Sequence, residues 1–351
     1  FLLVCRLRSE VHYPWVMVVY RQDQPLALLA GRVETIPFAP SIGYLKCPGI
    51  PVKTLTVLYH GFLGLQDGPI AGLLVRDTLH WLSDSDVGQV IFPALDIRSS
   101  LHTTLMKQTP AWYCEKGILS QLHWQACLSD AADSLLKRMK SKHRAYLLKR
   151  QSTFLKAFNG RIKWQWLTEF EHIADTLLKI EQLACKTYQR GLGTGFNNDM
   201  DYRERMDLYA RRGVLRMALL WVDDTLVCFC IGIVYGDILY GSELGYDQAF
   251  KDYSPGILLI LWMMEQLRHE GVYNVDWGLG DAQYKRQLGT TAWLEQSILL
   301  FKSSWYFLLL RFFLGASLCL DRTARNILDR TDLTARIKSA WRRHLTRPGD
   351  A

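Results

Sequence analysis

The chain has 351 residues, of which 49% are hydrophobic and 12% aromatic. That is enough apolar material for the cores of two domains, and it excludes wholesale disorder. The formal net charge of +8 suits an anionic ligand, nucleic acid or an acidic membrane surface, and does not choose among them.

The apolar start FLLVC meets Arg6 and Arg8 at once and does not read as the core of a signal peptide. The eight cysteines show no CxxC and no metal-ligand spacing, so no metal is expected. Reduced, mostly buried thiols fit a cytoplasmic protein. Residues 15–20 and 26–33 read as two strands of a hairpin around Arg21-Gln22-Asp23-Gln24-Pro25. The proline-rich stretch 36–51 reads as an irregular loop. A strand at 55–59, a helix at 70–82 opened by Gly68-Pro69, and a strand at 90–92 follow.

The second half repeats this order. A hairpin (216–222 and 226–235), a strand at 239–245, a helix from Pro255-Gly256 to about His269 and a strand at 272–277 follow one another. Phe92-Pro93-Ala94-Leu95-Asp96 echoes Trp277-Gly278-Leu279-Gly280-Asp281. Two copies of one fold are expected, at a repeat of roughly 185 to 200 residues. The first copy lacks the Tyr284-Lys285-Arg286 block, so it is expected to be structural.

Between the copies, 119–127 reads as a strand and 129–158 as a long basic helical stretch. That stretch is either a solvated linker or one wall of a cleft that attracts anions. A strand at 162–167, a helix at 170–189 and a glycine-rich loop at 190–195 come next. The loop follows a helix, the wrong context for a dinucleotide fingerprint, and reads as a flexible acceptor-side loop. Residues 201–212 form a further helix. Residues 294–301 are expected to close the second lobe. The apolar run 305–320 is shorter than the ~20 residues a bilayer span needs and contains Arg311. It reads as a helix packed on the second lobe or as a membrane-surface helix, followed by an Arg-rich tail.

Ser254 is a good N-cap residue and Pro255 suits the first helical turn. The amides of Gly256, Ile257 and Leu258 would then face an anion beside two strand ends.

The run SPGILL at 254–259, with DWGLGDAQYKRQLGT at 276–290, resembles the CelD-type acetyltransferases of the GNAT superfamily, which are often encoded with bacterial polysaccharide genes. The resemblance covers about residues 135–301. It implies an α/β (α+β) chain of two tandem GNAT-like lobes, each a mixed, mostly antiparallel sheet flanked by helices. The expected domains are 1–128 (degenerate lobe), 129–158 (basic linker), 159–302 (catalytic lobe) and 303–351 (helical tail). It implies acetyl-CoA or another acyl-CoA as donor, its pyrophosphate on Ser254, Pro255, Gly256, Ile257 and Leu258. The acceptor would be an amine or hydroxyl of a small molecule or saccharide, not nucleic acid. Glu243 on the strand before the phosphate turn would be general base, Asp281 a second base or orienter, and Tyr284 the donor of a proton to the leaving thiolate. Asp276, Trp277, Lys285 and Arg286 would contact substrate. His60, His80, His102, His123, His143, His172 and His269 are scattered and form no triad, so direct transfer in a ternary complex is expected. A Fem-type aminoacyl transferase and a non-catalytic scaffold of a polysaccharide or membrane assembly are the competing readings. Oligomeric state stays open.

Overall fold

The structure is a computed structural model, and it describes residues 2–42, 45–128, 136, 139–169, 173–186 and 196–330. The glycine-rich loop at 190–195, the start of the basic stretch and the Arg-rich end lie outside these residues. In chain order the elements begin with α1 (Leu2–Leu7), β1 (Val11–Arg21), β2 (Gln24–Phe38), the short pair β3 (Ser41–Ile42) and β4 (Leu45–Lys46), and β5 (Ile50–Gly64). Then come α2 (Gly68–Asp84), β6 (Gln89–Asp96), α3 (Ser100–Gln108) and β7 (Cys114–Cys127). The second half holds α4 (Ser141–Ala157), β8 (Ile162–Leu167), α5 (Ile173–Ala184), α6 (Met200–Arg211), β9 (Leu215–Val222), β10 (Thr225–Tyr235) and β11 (Ile238–Tyr246). It continues with α7 (Pro255–His269), β12 (Asn274–Leu279), α8 (Gln283–Leu288), β13 (Thr291–Phe301) and α9 (Trp305–Arg330).

The chain divides into two units, one of Phe1–Leu122 with Trp293–Ile337, the other of His123–Ala292 with Lys338–Ala351. In the first unit the sheet order is β1-β2-β5-β6-β13. Every pair is antiparallel except β5 and β6, which run parallel. In the second unit the order is β8-β9-β10-β11-β12-β7, again antiparallel except for β11 and β12. The expected internal repeat is therefore visible strand by strand. Leu55 and Leu239 are the middle residues of the two parallel ladders.

Two assignments differ from the sequence reading. Residues 294–301, expected to close the second lobe, lie in β13 and pair with β6 of the first unit. Conversely, the end of β7, from His123 on, pairs with β12 of the second unit. Each repeat thus takes its last strand from elsewhere in the chain. Both strands carry the same kind of alternation, and local pattern does not encode which partner a strand takes. The stretch 36–51 is also less irregular than expected: Pro37 stands opposite Pro51 and Phe38 opposite Ile50 as β2 and β5 extend.

Helices cover the sheets because the strands are apolar on both faces. In the second unit Ala218, Leu220, Cys228, Leu239 and Val275 pack under α7 residues Leu258, Leu259, Met263 and Leu267, with Leu147 and Phe154 of α4. On the other face Met217, Leu219, Phe229 and Ile231 meet Ile173, Leu177 and Ile180 of α5 and Tyr202 and Met206 of α6. In the first unit Leu74 and Val75 of α2 and Leu101 and Leu105 of α3 cover Leu29, Leu55, Val90 and Ile298. Helix α9 covers the first unit's Phe38, Val52 and Phe301 through Leu310 and Leu314, where the sequence reading placed it on the second lobe.

Candidate active site

Only three residue pairs join β11 to β12: Ile238 with Asn274, Leu239 with Val275, and Tyr240 with Asp276. Beyond Tyr240, β11 continues to Tyr246 on its outer partner β10, up to Cys228 opposite Tyr246. Beyond Asp276, β12 continues to Leu279 on its outer partner β7. The two strands therefore part from each other while both remain held on their outer sides. Their inner backbone amides and carbonyls have no ladder partner there, and such groups need one from elsewhere.

Helix α7 begins beside this gap. A short 3-10 helix, Gln248–Tyr253, precedes it and is capped by Asp247, whose carboxylate accepts from the Ala249 amide at 2.9 Å. Ser254 then takes a left-handed conformation, φ 56° and ψ 48°, and makes no side-chain cap. This corrects the expectation of a serine N-cap, which needs an extended backbone. A left-handed non-glycine residue costs roughly 1–2 kcal/mol and persists only where its surroundings impose it. The helix then starts with Pro255, which has no N–H, and its first backbone bond runs from the Leu258 amide to the Ser254 carbonyl at 3.3 Å. The amides of Gly256 and Ile257 have no intrahelical acceptor by geometry. A Cβ on Gly256 would meet only Tyr246 Cδ1 at 3.7 Å, an ordinary contact. The fold itself has room for a side chain at Gly256, and glycine there leaves the helix start uncovered.

The equivalent corner of the first unit is closed. Its parallel ladder is likewise three pairs long, Thr54 with Gln89 through Thr56 with Ile91. Its helix α2, however, is capped by Asp67, whose carboxylate accepts from the Ile70 amide at 2.8 Å. A fixed negative charge sits where an anion would bind.

Helix α4 flanks the entrance to α7. Arg150 donates from Nη1 to the Asp252 carbonyl, and its guanidinium lies 5.0 Å from the centre of the Tyr146 ring. Phe154 and Phe158 pack on Tyr253 at 5.6 and 5.3 Å. The basic stretch thus borders the corner instead of standing free as a linker.

The block 276–286 folds upon itself. Asp276 Oδ1 accepts from the Gly278 amide and pairs with His123 Nε2 of β7, both at 2.7 Å. Gly278 and Gly280 have positive φ, 66° and 94°, which the turn out of β12 requires. The Lys285 ammonium turns inward to the carbonyls of Leu279 (2.6 Å) and Gly278 (3.3 Å), and burial lowers its pKa. It locks the loop, where the sequence reading had it bind phosphate or acceptor. Arg286 grips Asp281, and that hydrogen bond holds the Asp281 carboxyl below its usual range. A carboxylate so held is a poor proton acceptor. Trp277 is buried and meets Tyr284 edge to face at 5.7 Å.

Glu243 lies apart from that block, on the unzipped part of β11 opposite Ile231. Burial raises its pKa, partly opposed by the nearby Arg205 guanidinium. Tyr202 of α6 is close enough that burial and then the Glu243 charge push its phenol upward. Burial, with Glu243 again contributing, pushes the Cys230 thiol up to about 12. A thiol so raised is no nucleophile at neutral pH. Sequence reasoning singled out Glu243 but missed Tyr202 and Arg205, because the face that α6 presents cannot be assigned before its sheet partner is known. It also dismissed His123, whose strand it had placed in the other lobe. The alternation LHWQAC did mark His123 and Gln125 as sharing one face.

Residues 141–286 match the family described as "Acetyltransferase (GNAT) domain". No curated protein sequence matches the chain. Among solved structures, FemX is similar over 85% of this chain and 90% of its own, at 10% identity and a TM-score of 0.56. A conserved protein of unknown function from Bacteroides thetaiotaomicron is similar over 79% and 86%, at 12% identity and a TM-score of 0.50. A tandem GNAT protein from the clavulanic acid biosynthesis pathway is similar over 84% of both chains, at 13% identity and a TM-score of 0.49. The parted parallel strands and the glycine at the helix start lie within residues 141–286, the stretch that is similar to a GNAT acetyltransferase domain.

Proposed function

We propose that the chain is an acyl-CoA-dependent acyltransferase of the CelD type. It transfers an acetyl or related acyl group to an amine or hydroxyl of a saccharide or similar metabolite. The observation that carries the reading is the corner of the second unit: a helix start with no side-chain cap and a bare Gly256, beside strands that part after three residue pairs. Amides at Gly256 and Ile257 would hold the donor's pyrophosphate, with Arg150 beside the same turn. Inner amides of the parted strands would polarise the thioester carbonyl.

Glu243 is the general base in this reading. It takes the proton of the attacking nitrogen or oxygen, directly or through water, as the new N–C or O–C bond forms. The C–S bond then breaks, and Tyr284 returns a proton to the leaving thiolate. Asp281, held low by Arg286, is left as an orienting group. Asp276 and Trp277 shape the loop from which an acceptor would be met.

Incubation with acetyl-CoA and a panel of amino sugars, polyols and small amines, read by mass spectrometry, tests the reading. It predicts a product heavier by one acetyl group and stoichiometric free CoA. Thioester consumption by no acceptor, with transfer seen only from an aminoacyl-tRNA, would replace it by the aminoacyl-transferase reading.

A further inference from the structure

The apolar run after β13 is a sequence feature that acyl transfer leaves unused. It forms the first part of α9, and one side of that helix is packed. Leu310, Leu314 and Ser317 are buried. Phe307 lies so close to Gly88 that a Cβ there would come within 2.2 Å of its ring. Arg311, the single charged residue of 305–320, turns toward Glu115, with Nη2 3.5 Å from Oε2.

The opposite side is exposed and carries no charge. Trp305, Leu309, Phe312, Phe313 and Leu320 are exposed, Trp305 to 78% and Phe312 to 64%. Ala316 lies among them and is exposed as well. At helical spacing these six residues share one face about 100° wide. Single exposed apolar residues are ordinary, but a contiguous aromatic stripe marks a docking surface. Among the described residues no helix is long and apolar enough to cross a membrane. A stripe of this kind on such a helix suits the plane of a bilayer surface.

Charge selects the occupant. From 321 to 351 the sequence holds eight Arg and Lys against four Asp. A second copy would carry the same net charge of +8, whereas anionic lipid attracts such a chain. We propose that the exposed face of α9 docks on an anionic phospholipid surface. Trp305, Phe312 and Phe313 would enter the boundary between headgroups and acyl chains, and the basic segment that follows would supply the attraction.

Flotation of the full chain with vesicles tests this, comparing phosphatidylcholine alone with equal parts phosphatidylcholine and phosphatidylglycerol. The chain is expected to float with the anionic vesicles, less so at high salt, and not with the neutral ones. Phe312→Ser with Phe313→Ser should reduce the bound fraction roughly tenfold or more while leaving the melting temperature unchanged, because both side chains are exposed. If that double variant melts lower, Trp305→Ser and Leu309→Ser are used singly with the same criterion. No flotation with either vesicle, or flotation indifferent to these variants, would overturn the proposal. So would a dimer in light scattering that the double variant dissociates without any vesicle binding, which would assign the face to a second copy.

Discussion

Glu243 carries the sharpest chemistry at the residue scale, because burial makes its charge costly. Its folded pKa is raised above the ordinary carboxylate value, so the folded chain holds this proton more tightly than the unfolded chain. Its contribution to stability is present below the unfolded pKa and is lost as pH rises through the folded value. Glu243→Gln is therefore expected to raise the melting temperature at neutral pH, with the gain shrinking as the solution is acidified. The same change should lower turnover roughly a hundredfold or more and flatten the acid limb of the pH–rate profile. A lower melting temperature at neutral pH would contradict the burial account. Activity that keeps its acid limb would remove Glu243 as base. His123 makes a second case. Its ring holds Asp276, which holds the Gly278 amide, so His123→Ala should leave a buried carboxylate short of a partner. A loss of about 1–3 kcal/mol in denaturant unfolding is expected, and a value near zero would show that the pair is replaceable.

Helices α2 and α7 show how the starts of two equivalent helices can be satisfied differently. Both start beside a parallel ladder of three pairs, and both have proline in the first turn. What differs is the cap. Asp67 satisfies the start of α2 with its own carboxylate, while left-handed Ser254 leaves the start of α7 without a side-chain acceptor. Asp67→Ala should cost about 1 kcal/mol of stability, read by denaturant unfolding, and leave acyl-CoA binding untouched. Any loss of donor binding in that variant would mean that the first unit takes part in it. Hydrophobic periodicity showed that these two helices exist and where they start. It could not show the Ser254 conformation, because serine before proline suits an extended cap equally well, and the preceding 3-10 helix sets the turn instead. The inward course of Lys285 was equally hidden, since a Tyr-Lys-Arg run reads as exposed charge until two carbonyls are found waiting for the ammonium.

For the molecule as a whole, the repeat was legible and its closure was not. Hairpin, strand, helix and strand recur in order, and the echo of 92–96 in 277–281 keeps its register in the two parallel ladders, where Val90 and Val275 are the middle partners. The last strand of each repeat is where local pattern fails: β7 and β13 carry similar alternation, and their partners lie far away in the chain. The division His123–Ala292 therefore predicts that a fragment of residues 123–292, which keeps the end of β7 that pairs with β12, folds, whereas 159–302 loses both that strand and α4 and does not. Circular dichroism melts of the two fragments check this. Equal cooperative unfolding of both would contradict the strand assignment.

The central claim concerns the corner of Ser254, Pro255 and Gly256, and thermal unfolding with and without acetyl-CoA tests it most directly. The account predicts that acetyl-CoA raises the melting temperature of the parent chain. In Gly256→Asp, whose Cβ the fold accommodates, the unliganded melt should stay close to the parent's while the ligand-induced shift disappears. No shift in the parent, or an undiminished shift in Gly256→Asp, would contradict it.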